Sequence, residues 1–103
     1  MADPMKIRAS VVGDSTEVKV LMNHEMETGQ RKDAQGKVIP AWFIQNVNVT
    51  YNGKTVLSAQ WGPAVSKNPF LSFRFSGAKP GDKVVITWTD NHGDKRTDEA
   101  TIA

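Results

Sequence analysis

Cysteine is absent from the 103-residue sequence, so the chain forms no disulfide, supplies no thiolate nucleophile and offers no sulfur ligand from cysteine to a metal. A long apolar run is also missing, because the uncharged stretches fall well short of the roughly 20 apolar residues of a membrane-spanning helix. The opening residues, MADPMKIRAS, lack the apolar core of a secretory signal peptide. Considered alone, the chain is therefore expected to stay in the cytoplasm, without a membrane span or a signal peptide of its own.

The chain also has only a small excess of basic over acidic residues. The 13 Lys and Arg residues oppose 11 Asp and Glu residues, which leaves a net charge of +2. The basic residues are scattered, and the longest runs are the pairs Arg31-Lys32 and Lys95-Arg96. Because nucleic-acid binding depends on many Lys and Arg contacts with phosphates, this pattern argues against a nucleic-acid partner.

Apolar and polar residues alternate with a period of two along the chain, and turn residues interrupt the alternation about every ten positions. The strongest turn signal is Asn52-Gly53, which suits a type I′ hairpin because both residues tolerate positive φ. The predicted strands are residues 5–11, 17–23, 42–51, 55–61, 70–76, 83–90 and 95–102. Without a repeat or linker, residues 1–103 are expected to form one all-β domain. It is predicted to be an immunoglobulin-like antiparallel β-sandwich of about seven strands, with a closed barrel as the alternative.

Residues 42 to 51 carry apolar side chains on both faces of the predicted strand. Phe43, Val47, Val49 and Tyr51 share one face and are expected in the core. Trp42 and Ile44 then point outward, where large apolar groups often mark a docking surface. Two alternatives are that a loop of the same chain covers them, or that a β-bulge exchanges the faces.

Candidate chemistry is limited to a few polar residues. His24 lies at a strand end beside Glu25 and Glu27, and a histidine there can act as a general base or a metal ligand. A zinc site needs three or four ligands, however, and only His24 and His92 are available as histidines. A hydrogen bond between His24 and the loop backbone is the simpler expectation. These patterns predict no catalytic residue, no metal site and no cofactor.

The stretch NHEMETGQRKDAQGKVIP resembles the corresponding loop of the SoxZ family, the small subunits of the SoxYZ carrier complex in bacterial sulfur oxidation. The residues that carry the resemblance are His24, Met26, Glu27, Thr28, Gly29, Arg31, Asp33, Gly36, Ile39 and Pro40. Further matches follow at Tyr51, Gly53 and Val56, at Pro63-Ala64 and Asn68–Phe70, and at Trp88–Asp90 with Gly93. Glu25 departs from the family, in which proline is frequent at this position. The resemblance covers nearly the whole chain.

The resemblance implies a non-catalytic subunit that forms a heterodimer or higher assembly with SoxY. In that family SoxY carries covalent sulfur intermediates, derived from thiosulfate, on a cysteine of its C-terminal arm, and other Sox enzymes contact the complex transiently. The family is periplasmic and is thought to be exported with the signal-bearing SoxY, which reverses the cytoplasmic expectation. Trp42, Ile44 and Trp61 are then the predicted partner interface. With that surface uncovered, we expect the isolated chain to form homodimers or larger assemblies.

Two other functions remain open from the residues alone. One is a free-standing ligand-binding β-sandwich that uses its exposed aromatic side chains for a sugar or a peptide. The other is a small enzyme that uses His24 with the carboxylates of the loop.

Overall fold

The computed structural model describes residues 3–103, and within them seven β-strands account for all of the regular secondary structure. The strands are β1 (Lys6–Val12), β2 (Ser15–Leu21), β3 (Ile44–Tyr51), β4 (Lys54–Gln60), β5 (Phe70–Ser76), β6 (Lys83–Asp90) and β7 (Lys95–Thr101). Each lies within three residues of its predicted bounds. No helix among residues 3–103 has the length and apolar character needed to cross a membrane.

The strands form two antiparallel sheets, one with the order β1-β2-β5 and the other with the order β4-β3-β6-β7. Two separate sheets exclude the closed barrel and confirm the predicted immunoglobulin-like β-sandwich. After β7 the chain returns to β1, where the backbone N–H of Ala103 donates to the carbonyl of Ala9 at 2.8 Å. This contact covers part of the β1 edge.

The core lies between the sheets because alternate residues of each strand point inward. In the first sheet Val18 and Val20 are fully buried, as is Met22 directly after β2. In the second sheet the fully or almost fully buried residues are Val47, Val49, Val84, Ile86 and Trp88. Burying side chains of this size stabilises the fold by about 1.5–3 kcal/mol each.

One feature at each end of β3 defines how this strand pairs. Asn52 and Gly53 adopt positive φ values of 49° and 77° between β3 and β4, which confirms the predicted left-handed turn. At the other end of β3, the pairing with β6 shifts between Ile44 and Asn46. The shift is a β-bulge, because the ladder advances from Asp90 to Thr89 while two positions pass on β3.

The molecule is elongated, with extents of 52, 21 and 20 Å along its principal axes. A strand of seven or eight residues spans only about 25 Å, so the loops at the sheet ends supply much of the long axis. The longest of these connections runs from β2 to β3 and contains residues 24–40, which we call the motif loop.

Candidate functional site

The carboxylate of Asp90 is the centre of the candidate site. Asp90 is the last residue of β6, and its side chain is fully removed from solvent. Its Oδ2 atom accepts hydrogen bonds from Nε2 of His24 at 2.9 Å and from Nε1 of Trp42 at 2.8 Å. Its Oδ1 atom accepts the backbone N–H groups of His92 and Asp94, each at 2.9 Å. One buried carboxylate therefore joins three chain segments that are distant in sequence.

The charge of Asp90 is compensated by these donors. Burial alone raises the pKa of a carboxyl group, because the charged form loses its hydration. The hydrogen bonds from His24, Trp42 and the two backbone N–H groups lower it by more, so the pKa of Asp90 lies below its ordinary value. Asp90 is consequently a buried anion at neutral pH.

His24 contacts Asp90 with a defined tautomer. Its Nδ1 atom accepts the backbone N–H of Met26 at 3.1 Å, so Nδ1 carries no proton and the ring proton is on Nε2, facing Asp90. Its backbone is held as well, because His24 N–H donates to Oδ1 of Asn68 at 3.1 Å and its carbonyl accepts the N–H of Asn68 at 2.9 Å. The predicted bond to the loop backbone is present. With both ring nitrogens engaged and the side chain 2% exposed, His24 has no nitrogen available to a substrate.

Aromatic rings surround the carboxylate. The Trp42 indole stacks on the His92 ring, with centroids 5.2 Å apart and planes inclined by 6°. The His24 ring meets Trp42 and Trp88 edge to face, each at 5.1 Å. We call the set His24, Trp42, Trp88, Asp90 and His92 the Asp90 cluster. These contacts fix the orientation of the donors around Asp90.

The turn between β6 and β7 holds the segment that leads into β3. Asn91 exchanges hydrogen bonds with Phe43: its side-chain Oδ1 accepts Phe43 N–H at 2.8 Å, and its own N–H donates to the Phe43 carbonyl at 3.1 Å. The Ala41 carbonyl accepts Nδ2 of Asn91 at 2.8 Å and Nε2 of His92 at 3.1 Å. The turn thereby fixes the backbone on both sides of Trp42.

The base of the motif loop is closed by Glu27 and Trp42. Their backbones form an isolated antiparallel bridge, with N–H to carbonyl distances of 2.6 Å and 3.0 Å. The Glu27 carboxylate binds the Arg31 guanidinium through Nε at 3.1 Å and through the terminal nitrogen at 2.6 Å. This hydrogen bond lowers the pKa of Glu27 and raises that of Arg31. Glu27 is thus engaged in an ion pair with a side chain of its own loop.

The outer part of the motif loop is a small hairpin. Lys32 and Val38 form a second bridge, and Oδ1 of Asp33 accepts the backbone N–H groups of Gln35 at 2.9 Å and Lys37 at 3.0 Å. Gly36 completes the turn with a φ of 81°. Asp33 and Gly36 therefore shape the tip, while the side chains from 30 to 38 are exposed.

The remaining motif residues fit the loop against the sandwich. Met26 is 5% exposed, with a φ of 51°, and its sulfur accepts the Ile44 N–H at 3.3 Å. Thr28 Oγ1 accepts the N–H of Gln30 at 3.1 Å. Gly29 has a φ of 86°, and a Cβ atom there would lie 3.1 Å from the Ala41 Cβ. Ile39 is half-buried and Pro40 is exposed. The motif residues therefore serve mainly to set the backbone geometry of the loop, and they do not form an array of free reactive groups.

A comparison with known protein families matches nearly the whole chain. The family described as sulphur oxidation protein SoxZ matches residues 5–101. The chain belongs to the SoxZ family. Its role is therefore in sulfur oxidation. No curated protein sequence matches the chain significantly.

Solved structures resemble this SoxZ-family chain in fold. A hypothetical protein from Pyrococcus horikoshii superposes with a TM-score of 0.63 at 16% identity, over 99% of this chain and 89% of the other. A superoxide reductase (neelaredoxin) variant from Ignicoccus hospitalis gives 0.60 at 15% identity, over 99% and 82%. A reduced variant from Archaeoglobus fulgidus gives 0.59 at 18% identity, over 97% and 86%. At these identities the likeness concerns the fold and assigns no activity.

A surface cavity of about 280 Å³ adjoins the Asp90 cluster of this SoxZ-family chain. Its exposed lining carries charges of both signs. The carboxylates of Asp3, Glu25 and Asp94 lie there together with the ammonium group of Lys67. Lys67 forms an ion pair with Glu25 at 3.3 Å. Among residues 3–103 no three His, Cys, Asp or Glu side chains are grouped to hold a metal ion. The cavity is thus lined by solvated charged groups and by His24, whose two ring nitrogens already have hydrogen-bond partners.

The predicted outward direction of Ile44 is wrong. Ile44 is fully buried because the bulge before Asn46 exchanges the faces of β3 at this end. Ile44 is therefore part of the core and is removed from the predicted docking surface.

Trp42 and Trp61 are half-buried. The Trp61 N–H donates to the Gln45 carbonyl at 2.8 Å, so both tryptophans lie at the sheet end where β3 begins and β4 ends. Trp42 is also partly covered by the β6–β7 turn, as one of the sequence alternatives stated. Their contact with a partner stays a prediction.

Sequence reasoning missed the role of Asp90. The signal was a turn rich in side chains that accept backbone hydrogen bonds, Asp90-Asn91-His92-Gly93-Asp94. Such a turn indicates that its first carboxylate caps the following N–H groups. It does not indicate that His24 and Trp42 would reach the same carboxylate.

Proposed function

We propose that this SoxZ-family chain is a non-catalytic subunit of the SoxYZ carrier complex. It binds SoxY, whose C-terminal cysteine arm carries covalent sulfur intermediates between Sox enzymes. The observation that carries this proposal is a SoxZ family match over residues 5–101 of a chain without cysteine. Because the thiolate is the usual sulfur nucleophile of proteins, the covalent adduct belongs on the partner.

The geometry of the motif loop supports a structural role for its polar residues. His24 donates to Asp90 and accepts from the backbone of Met26, and Glu27 is bound by Arg31. A general base must reach the proton that it removes, and neither group is free to do so. The Asp90 cluster thus serves to hold the loop and the start of β3 in one conformation.

Trp42 and Trp61 are the aromatic residues proposed to contact SoxY. Both retain exposed surface at the same end of the β4-β3-β6-β7 sheet, and tryptophan is favoured in binding hot spots. The Asp90 cluster orients Trp42 before binding, which reduces the entropy lost on association. Without SoxY this end would be uncovered, and self-association follows from the same surface.

The proposed location is the periplasm, with export of the folded pair through the signal sequence of SoxY. This proposal requires the two chains to associate before export. Deleting the signal sequence of SoxY is expected to retain both chains in the cytoplasm, as measured by cell fractionation. Periplasmic recovery of this chain alone would contradict it.

Co-expression with SoxY from the same organism tests the main proposal. We expect a heterodimer or a higher assembly by size-exclusion chromatography with light scattering, and Trp61→Ala is expected to weaken pairing by more than about 1 kcal/mol. Elution as a monomer or self-dimer only, in the presence of folded SoxY, would exclude the carrier role.

The His24→Ala variant separates a structural role from a catalytic one. It should leave the sulfur-oxidising activity of the paired complex largely intact when assayed at a temperature where the variant is folded. Complete loss of activity in a folded and paired variant would favour an enzyme that uses His24.

A further inference from the structure

Two exposed apolar side chains lie together on the outer face of the β1-β2-β5 sheet. Leu21 of β2 pairs with Phe70 of β5, and their exposed fractions are 41% and 61%. On its other side, Leu21 pairs with Lys6 of β1. A shallow depression of about 540 Å³ at this end of the sheet is lined by Lys6, Ile7, Arg8, Lys19, Leu21 and Phe70. We call Lys6, Arg8, Lys19, Leu21 and Phe70 the Phe70 patch.

The positive charge of the Phe70 patch is only partly compensated. Glu17, farther along β2, binds Arg74 at 2.9 Å and Lys19 at 3.4 Å. Within residues 3–103, by contrast, Lys6 and Arg8 form no ion pair. Two unpaired cations therefore lie next to the exposed Leu21 and Phe70 side chains.

We infer that the Phe70 patch docks a partner protein that presents an apolar side chain ringed by carboxylates. This inference rests on the proposed function, in which enzymes visit the carrier complex, and it assigns the patch to such a visiting enzyme. A permanent interface commonly buries about 2,000 Å² or more and is apolar at its centre. Two apolar side chains with a basic rim match a smaller contact, steered by charge and released readily.

The same charges disfavour a second copy of the chain on this face. A symmetric contact centred on the Phe70 patch would bring the basic residues of both copies, Lys6 and Arg8 among them, into one interface. Like charges brought together without counter-ions oppose association. An acidic partner supplies the missing charges and covers the Phe70 ring at the same time.

The test uses the purified complex with SoxY and the separately purified enzyme that oxidises SoxY-bound sulfur. One variant is Phe70→Ser, and another combines Lys6→Gln with Arg8→Gln. Val12→Ser is the matched apolar control, because Val12 is 46% exposed and lies on the same sheet face about 20 Å along β1 from Lys6. Lys54→Gln, in the β3–β4 hairpin, is the charge control.

Both patch variants are expected to raise the KM for the carrier complex about fivefold to tenfold, whereas kcat and pairing with SoxY stay unchanged. The wild-type KM should rise with salt, and the double variant should lose most of that dependence. The two control variants should match wild type. Urea unfolding of each variant keeps folding defects separate from docking defects.

Three results would overturn the inference while leaving the proposed function intact. The first is an unchanged KM for both patch variants. The second is loss of SoxY pairing in Phe70→Ser, which would assign the patch to the permanent interface. The third is binding of the wild-type complex to phosphatidylglycerol vesicles that Phe70→Ser abolishes, which would assign it to a lipid surface. Failure of wild type to pair with SoxY would instead overturn both proposals.

Discussion

Nε2 of His24 and Oδ2 of Asp90 lie 2.9 Å apart, although 66 sequence positions separate the two residues. Their side chains are 2% and 0% exposed, so water cannot replace either partner. The pair connects the motif loop to the end of β6. Loop geometry in this SoxZ-family chain therefore depends on a charge outside the motif loop.

Replacement of Asp90 by Asn tests this dependence. The amide retains one acceptor oxygen but presents N–H groups where Asp90 now accepts hydrogen bonds, so two of the four donors lose their partner. We expect the free energy of unfolding to fall by about 2–4 kcal/mol, measured by urea unfolding. Asp33→Asn keeps the acceptor that caps the exposed loop tip and should change it by less than about 0.5 kcal/mol. Equal effects of the two variants would contradict the role of Asp90.

Acid should destabilise the protein through the same carboxylate. The pKa of Asp90 is below its ordinary value of 3.8 in the folded chain, so the stabilisation is complete above that value. It is lost as the pH falls through the folded pKa, because the unfolded state binds the proton more readily. Urea midpoints should therefore stay nearly constant down to about pH 5 and drop as the pH falls below about 4. Asp90→Asn should show a smaller drop, and an identical drop would assign the acid sensitivity to other carboxylates.

Gly29 and Gly36 form a matched pair for testing backbone geometry in the motif loop. Both have positive φ, 86° and 81°, but an added Cβ would meet Ala41 at 3.1 Å only at Gly29. Gly36→Ala should lower the free energy of unfolding by about 1 kcal/mol, because alanine is strained in the left-handed conformation. Gly29→Ala should lower it by more. Thermal unfolding of the two variants gives the comparison. If Gly36→Ala were the more destabilising change, the close approach of Gly29 to Ala41 would have no energetic importance.

Ile44→Ala distinguishes the core position of Ile44 from the surface position that alternation predicted. Removing a fully buried isoleucine leaves a cavity and should lower the free energy of unfolding by about 2–5 kcal/mol. Val38→Ala is the control, because Val38 is 55% exposed and should have little effect. A small effect of Ile44→Ala with a large effect on SoxY pairing would restore the original prediction.

The strands could be predicted because their evidence is local. Alternating side chains set the faces of β2 and β6, and Asn52-Gly53 set the hairpin between β3 and β4. The bulge that buries Ile44 was one of two alternatives, and local alternation could not select it, since it depends on how β3 pairs with β6, forty or more positions away. The side-chain donors to Asp90 could not be predicted for the same reason. Trp42 is 48 positions from that carboxylate, and no local pattern reports such a contact.

The wide sequence separation around Asp90 also bears on the order of events in folding. Contacts between distant segments pay a large loop-closure entropy before they form. The bonds from His24 and Trp42 also require the start of β3 to lie beside the end of β6, so they should appear only after these strands have paired, and the motif loop would acquire its final shape last. The backbone amides of residues 26 to 42 should then exchange hydrogen with solvent faster than those of β2 or β6. Ordering of the motif loop would be the final step of folding.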